Sequence, residues 1–123
     1  MYSRNVTAND IAAFESGTVH SVYSTFALAR DAEWSGRLFV LDMKEEDEEG
    51  IGTQISIRHK GMALTGEVIT FEARFEEITV SGEIITSFKA FAGARLIAEG
   101  MQGQKILKKE KIDVLFSALE KRD

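Results

Sequence analysis

The chain has 123 residues, 44% hydrophobic and 28% charged, which is the size and balance of one globular domain able to bury a core. Its net charge of −5 disfavours nucleic-acid binding, and the lack of cysteine excludes a disulfide framework, a thiolate nucleophile and a zinc–sulfur site. No apolar run approaches the ~20 residues that span a bilayer, and the first residues lack a signal peptide's apolar stretch. We therefore expect a cytoplasmic protein without membrane contact.

The N-terminal part predicts two short elements. A helix is expected over residues 9–14, with Thr7 or Asn9 as its cap. Residues 18–24 are β-branched and aromatic, which predicts a strand. His20 lies on this strand without a visible partner, so we expect it to be structural or exposed.

The longest helical pattern covers residues 25–41, and Ser24 or Thr25 can act as its N-cap. Helical spacing places the apolar residues on one broad arc, which also contains Thr25 and a single charge, Glu33. The members of this arc are Phe26, Leu28, Ala29, Ala32, Gly36, Phe39 and Val40. The polar arc opposite contains Arg30, Asp31, Trp34 and Arg37.

After an acidic loop over residues 44–50, the pattern becomes β. Strands are predicted over 51–60, 67–78, 83–91 and 94–107, and a helix over 112–121. Tight turns between strands indicate an antiparallel sheet. One long helix covering one curved antiparallel sheet defines an α+β fold of the hotdog type, a single domain over 1–123, with a dimer expected to cover the remaining face or edge.

Four positions carry candidate chemistry. Strict alternation along 51–60 places His59 on one face with Ile51, Thr53, Ile55 and Ile57. If that face packs on the helix, Glu33 can orient the imidazole for proton transfer, and the Thr25 hydroxyl can attack an acyl carbon or position a water. Gly52 permits close approach to its backbone N–H, as an oxyanion donor requires.

Each of these residues also has a structural explanation. Thr25 can be a helix cap, Gly52 can shape a loop, and a histidine at a strand end is often structural. Glu33, near the edge of its arc, can reach solvent or pair with Arg37, four residues further along the helix. The residue types alone therefore leave both interpretations open.

The spacing resembles that of a known family. A Thr at the start of the central helix, a Glu eight residues later, a Gly-Thr opening the next strand and a His closing it are similar to the fluoroacetyl-CoA thioesterase-like group of hotdog proteins. The resemblance covers roughly residues 18–107. It implies that Thr25, Glu33 and His59 are catalytic and that the backbone of Gly52 lies at the acyl carbonyl.

The chain departs from the family pattern in two places. The segment 60–66 replaces a loop that often contains proline, and the aromatic lid of the specialised member has no clear counterpart. Fluoroacetyl specificity is therefore not carried over to this chain.

The resulting expectation is a homodimer, or a dimer of dimers, that hydrolyses acyl-CoA without a metal or redox cofactor, coenzyme A being part of the substrate. A basic cluster formed by Lys105, Lys108, Lys109 and Lys111 could meet the coenzyme's phosphates or be a solvated strand end. The alternatives are a hotdog protein that binds acyl-CoA without turnover, and an acyl-CoA hydratase or dehydratase, whose Asp–His pair we do not find.

Overall fold

The structure, a computed structural model, describes residues 2–14 and 17–121, and it describes side chains outside 12–21. The prediction that His20 is structural or exposed therefore concerns a side chain outside those described. The elements are β1 (Tyr2–Asn5), β2 (Ile11–Phe14), β3 (Gly17–Tyr23), α1 (Thr25–Met43), β4 (Glu48–His59), β5 (Val68–Ile78), β6 (Ile84–Ala92), β7 (Arg95–Lys108) and α2 (Lys109–Glu120).

Five strands form one antiparallel sheet in the order β1-β5-β6-β7-β4, and α1 packs across one face of this sheet. The predicted α+β hotdog architecture is confirmed. The predicted main helix and four long strands are all present, with ends that differ by a few residues. None of the helices in the described part of the chain has both the length and the apolarity that crossing a membrane would need.

Helix α1 begins as the sequence predicts. The Ser24 side chain caps it by accepting a hydrogen bond from the backbone N–H of Ala27 at 3.0 Å, so Thr25 is the first helical residue. The buried face of α1 and the inner face of the sheet share one apolar core. Its largest members, all below 2% exposed, are Tyr23, Leu28, Ile69, Phe71 and Ile97.

The predicted helix over 9–14 is wrong. Thr7 caps only a 3-10 turn over Ala8–Asp10, and β2 then pairs with β3 in a separate two-stranded sheet. The turn ends because Asp10 is buried and bonded to two arginines, and Ile11 already pairs with β3. Strand β1, which local pattern did not predict, pairs with β5 at the sheet edge.

The outer face of the sheet carries a ladder of alternating charge. Glu72 lies opposite Lys89, Lys89 opposite Glu99, and Glu99 opposite Arg58, so the ladder crosses four strands. Opposite charges on directly paired residues stabilise a sheet, and they remain hydrated when the face is exposed to solvent. A dimer was expected to cover either the outer face or an edge of the sheet, and a charged outer face is stable in contact with solvent. The unpaired edge of β4 remains.

Strand β4 contains a bulge that the alternation prediction did not include. Gly52 pairs with Gln104 and Gln54 with Gly103, so Thr53 is the extra residue. The bulge reverses the phase of the strand: Gly52 faces the helix on one side of it, and Ile55, Ile57 and His59 do so on the other. The prediction that Ile51 and Thr53 share the face of His59 is therefore wrong. The Thr53 hydroxyl instead donates to Glu83.

Candidate active site

Thr25 and His59 form a hydrogen-bonded pair at the start of α1. The Thr25 Oγ1 and His59 Nδ1 atoms are 3.0 Å apart, although the two residues are 34 positions apart in sequence. Thr25 opens a 19-residue helix, whose N-terminal end carries partial positive charge. An arrangement of this kind can supply a base beside a hydroxyl, at a helix end that favours negative charge.

The surroundings of His59 keep its imidazole neutral. Burial lowers its pKa below the ordinary value of 6.5, and the Gly61 backbone acts weakly in the opposite direction. A neutral ring with a proton on Nε2 leaves Nδ1 free to accept the proton of the Thr25 hydroxyl. The Nε2 atom is itself buried and has no hydrogen-bond partner among the described residues. A group arriving from solvent therefore meets the Thr25 side of the ring.

Glu33 and Gly52 form a second pair further along α1. A Cβ atom added to Gly52 would lie 2.9 Å from Oε1 of Glu33, so the glycine is what allows the carboxylate to approach the strand. Eight residues of helix separate Glu33 from Thr25, which is about 12 Å along the axis. One chain thus brings together Thr25 with His59 and Glu33 with Gly52, and it does not join the two pairs through any hydrogen bond among the described residues.

The environment of Glu33 differs from the expectation that it is the one charge in the apolar arc. Glu33 is exposed, whereas Asp31, assigned to the polar arc, is 2% exposed. Phe26, assigned to the apolar arc, is 80% exposed. The alternative pairing of Glu33 with Arg37 is also wrong, because the Arg37 guanidinium donates to Glu49 at 2.7 Å and to the Gly50 carbonyl at 3.2 Å.

Asp31 belongs to a buried ionic network that sequence spacing did not reveal. Arg4 and Arg30 each bridge Asp10 and Asp31, at distances of 2.6 to 3.1 Å. The hydroxyl of Tyr23, which is 1% exposed, donates to Asp31. The network fastens β1 and the 3-10 turn to α1 close to Thr25. Within the sequence of α1, only the adjacent residues Arg30 and Asp31 indicated an ion pair, because Arg4 and Asp10 come from a distant segment.

Ionisation states within the network follow from its contacts. Burial alone would raise the pKa of Asp10, but hydrogen bonds from Arg30 and Thr7 and the charge of Arg4 lower it below 3.8. Burial and the hydrogen bond to Asp31 raise the pKa of the Tyr23 hydroxyl far above its ordinary value. At physiological pH, Asp10 is therefore ionised and the Tyr23 phenol is neutral.

A hollow of about 370 Å³ opens beside Glu33. It is lined by Tyr2, Arg4, Arg30, Asp31, Glu33, Trp34 and Arg37. Its arginines already pair with Asp10, Asp31 and Glu49, so it offers polar hydrogens without a free positive charge. Within the predicted basic cluster, Lys108 pairs with Asp47 at 2.8 Å.

The fold and the solved relatives define a class: a hotdog protein of the thioesterase superfamily. A solved Thermus thermophilus member of that superfamily is 34% identical to this chain, with a TM-score of 0.92, over 98% of this chain and 89% of the other. A point mutant of the fluoroacetyl-CoA-specific thioesterase FlK, in complex with fluoroacetate and CoA, has a TM-score of 0.84 at 17% identity over 95% of both chains. A hot-dog-like protein from Thermanaerovibrio acidaminovorans has a TM-score of 0.82 at 16% identity, over 98% of this chain and 87% of the other.

The family itself is also shown. The family model described as fluoroacetyl-CoA-specific thioesterase matches residues 6–110, so the chain belongs to that family. The match extends beyond the 18–107 on which the resemblance was based. A comparison with curated proteins gave no match.

Proposed function

We propose that this protein is an acyl-CoA thioesterase in which Thr25, His59, Glu33 and Gly52 act on the thioester. The observation that carries the proposal is the 3.0 Å hydrogen bond between Thr25 and His59 at the N-terminus of α1. A threonine that needed only to start a helix would have no need of a half-buried, neutral imidazole.

The proposed chemistry has two stages. His59 Nδ1 takes the proton of the Thr25 hydroxyl as its oxygen bonds to the acyl carbon. The carbon–sulfur bond then breaks, and coenzyme A leaves as the thiol with the proton returned by His59. Water hydrolyses the resulting acyl ester to the free acid and restores Thr25. The backbone N–H of Gly52 stabilises the oxyanion, and Glu33 activates the water.

The two pairs are supplied by different subunits in this proposal. Glu33 lies about 12 Å along the helix from Thr25 within one chain, so it cannot serve that hydroxyl directly. A two-fold axis at the β4 edge would set Thr25 and His59 of one subunit against Glu33 and Gly52 of its partner, twice per dimer. The edge position of β4 and the exposed Ile55 on its helix-facing side, 45% exposed, support this arrangement.

The proposed mechanism uses a base, a nucleophile and a backbone donor that the chain itself provides, so it includes no metal or redox cofactor. Coenzyme A enters as part of the substrate. The cytoplasmic address and the choice between a dimer and a dimer of dimers stay predictions. Cell fractionation tests the first, and sedimentation equilibrium tests the second.

The direct test measures free thiol release from short-, medium- and aryl-acyl-CoAs, with fluoroacetyl-CoA included in the panel. Wild type should release thiol from at least one substrate, and His59→Ala should lose at least about 100-fold in kcat. Thr25→Val should be equally impaired, whereas Thr25→Ser, which keeps a hydroxyl, should retain activity. Mass spectrometry should detect an acyl adduct on Thr25 in a Glu33→Gln variant.

Three results would contradict parts of this proposal. Acyl-CoA binding by calorimetry without thiol release would favour the binding protein over the enzyme. Activity in Thr25→Val equal to wild type would remove Thr25 from the mechanism. Turnover without any adduct under rapid quench would replace the covalent step by direct attack of water.

A mixing experiment tests the shared site. Thr25→Val and Glu33→Gln dimers, each with strongly reduced activity, are mixed in equal amounts, dissociated and re-formed together. Half of the dimers should be mixed, and each should contain one intact site, which restores about one quarter of wild-type activity. No recovery would mean that each site is built from a single chain.

A further inference from the structure

Two glutamines are buried between α1 and the sheet at the level of Glu33. Gln102 and Gln104 lie on β7 and are 2% and 3% exposed. The Gln102 amide nitrogen donates to the main-chain oxygen of Ala32 at 2.8 Å and to that of Glu33 at 3.3 Å. Gln104 donates to the side-chain oxygen of Gln102 at 3.1 Å. Buried polar side chains are costly unless they are hydrogen-bonded, and here the bonds that offset this cost join the strand to the helix backbone.

The helix is shaped to receive this contact. A Cβ on Gly36 would overlap the Gln102 amide, so only glycine leaves room for it. The Ala32 carbonyl also accepts from the Ser35 hydroxyl at 2.7 Å, and both donors bind the turn that carries Glu33. A side chain anchored to main-chain oxygens fixes the rotation of the helix about its axis as well as its distance from the sheet.

We infer that Gln102 is a positioning residue that holds the Glu33 carboxylate over Gly52. The inference rests on the proposed function of Glu33. Gln102 pairs with Ile55 across the two strands, and Gln104 pairs with Gly52. The side chain that binds the helix and the glycine beneath Glu33 therefore lie in the same short stretch of β4 and β7. A small rotation of α1 would move Glu33 off the strand without unfolding the helix. Gln102 acts through the backbone and touches no substrate.

The test is a double-mutant cycle on kcat. Gln102→Met removes the amide and keeps the side-chain length, and it should lower kcat about 10- to 100-fold with KM little changed. In a Glu33→Gln background the same substitution should change kcat less than about 2-fold, because there is no carboxylate left to position. An equal loss in both backgrounds would overturn the inference, since a merely structural role would act in both.

Two further variants separate position from stability. Gln104→Met is the matched control: it removes an equally buried amide on the same strand but leaves both bonds from Gln102 to the helix, so kcat should stay within about 3-fold of wild type. Gly36→Ala displaces Gln102 from the helix side and should reproduce the kcat loss of Gln102→Met. A kcat loss in Gln104→Met as large as in Gln102→Met would contradict the assignment.

A crystal structure of Gln102→Met gives a readout independent of turnover. The Glu33 carboxylate should be displaced from Gly52 in this variant and remain in place in Gln104→Met. An undisplaced carboxylate would overturn the inference even if the enzyme is active. If wild type releases no thiol from any substrate, the thioesterase proposal fails, and the crystal structures still decide whether Gln102 positions Glu33.

Discussion

Two carboxylates on one helix, two residues apart, should differ sharply in their contribution to stability. Asp31 is 2% exposed and accepts from Arg4, Arg30 and Tyr23, whereas Glu33 is exposed. Asp31→Asn keeps the shape of the side chain and removes its charge. The comparison with Glu33→Gln therefore isolates what burial does to a carboxylate.

The magnitude follows from the partners of Asp31. Loss of the carboxylate leaves the buried Tyr23 hydroxyl poorly satisfied, which costs about 1–2 kcal/mol, and weakens the charge-assisted bond from Arg4 by about 1.5 kcal/mol. The Arg30 side chain is 44% exposed and keeps Asp10, so its screened pair adds about 0.5 kcal/mol. We expect Asp31→Asn to lower the free energy of unfolding by about 3–4 kcal/mol, and Glu33→Gln to change it by less than about 0.5 kcal/mol.

Urea unfolding at pH 7 measures both values, at one fixed protein concentration because a dimer is stabilised by mass action. A loss below about 1 kcal/mol in Asp31→Asn would refute the reasoning that the bonds from Arg4, Arg30 and Tyr23 to Asp31 stabilise the fold. An equally large loss in Glu33→Gln would contradict the predicted contrast, because it would mean that Glu33 contributes as much to stability as Asp31.

Four other predictions concern the site and the residues that support it. The folded-state pKa of Asp10 is below its unfolded value of about 3.8, so its contribution to stability is present above that pH and is lost as the pH falls further; urea midpoints should drop below about pH 4 and drop less in Asp10→Asn. The acidic limb of kcat/KM should have its midpoint below 6.5, because burial lowers the pKa of His59, and a midpoint above 6.5 would contradict a neutral base. Gly52→Ala should lower kcat at least about 10-fold with little loss of stability, since its Cβ would press on Glu33, and unchanged turnover would exclude that contact. Ile55→Lys should shift the sedimentation profile toward the monomer, and an unchanged profile would place the dimer contact elsewhere.

The sequence predicted the elements whose periodicity is long and regular. Helix α1 and strands β4 to β7 are long enough to contain several periods of the hydrophobic pattern, so single exceptions do not hide it. The Ser24 cap is predictable from side-chain chemistry alone. The short N-terminal elements were missed because four residues of β1 or β2 contain too little pattern. Their positions depend on distant partners, such as β5 for β1.

Two features of the site needed the tertiary structure. Asp31 was assigned to the polar arc because helix phase cannot show that Arg4 and Asp10 cover that side of α1. The orientation of Gly52 toward α1 was missed because strict strand alternation cannot detect an extra residue in a strand. A signal was present in the pair Gly50 and Gly52, which lie two apart where side chains of α1 leave no room for a Cβ atom on the strand.

The bulge at Thr53 also constrains how related chains can be aligned. Residues on one face of a regular strand are separated by an even number of positions, yet Gly52 and His59 are seven apart and both face α1. An odd separation on one face requires an odd number of extra residues between them. A relative that keeps the glycine and the histidine at a spacing of six or eight must therefore lack the bulge or contain a second one. Whether the spacing between this glycine and this histidine is odd or even therefore tests, from a sequence alone, whether a bulge places both residues on the face toward α1.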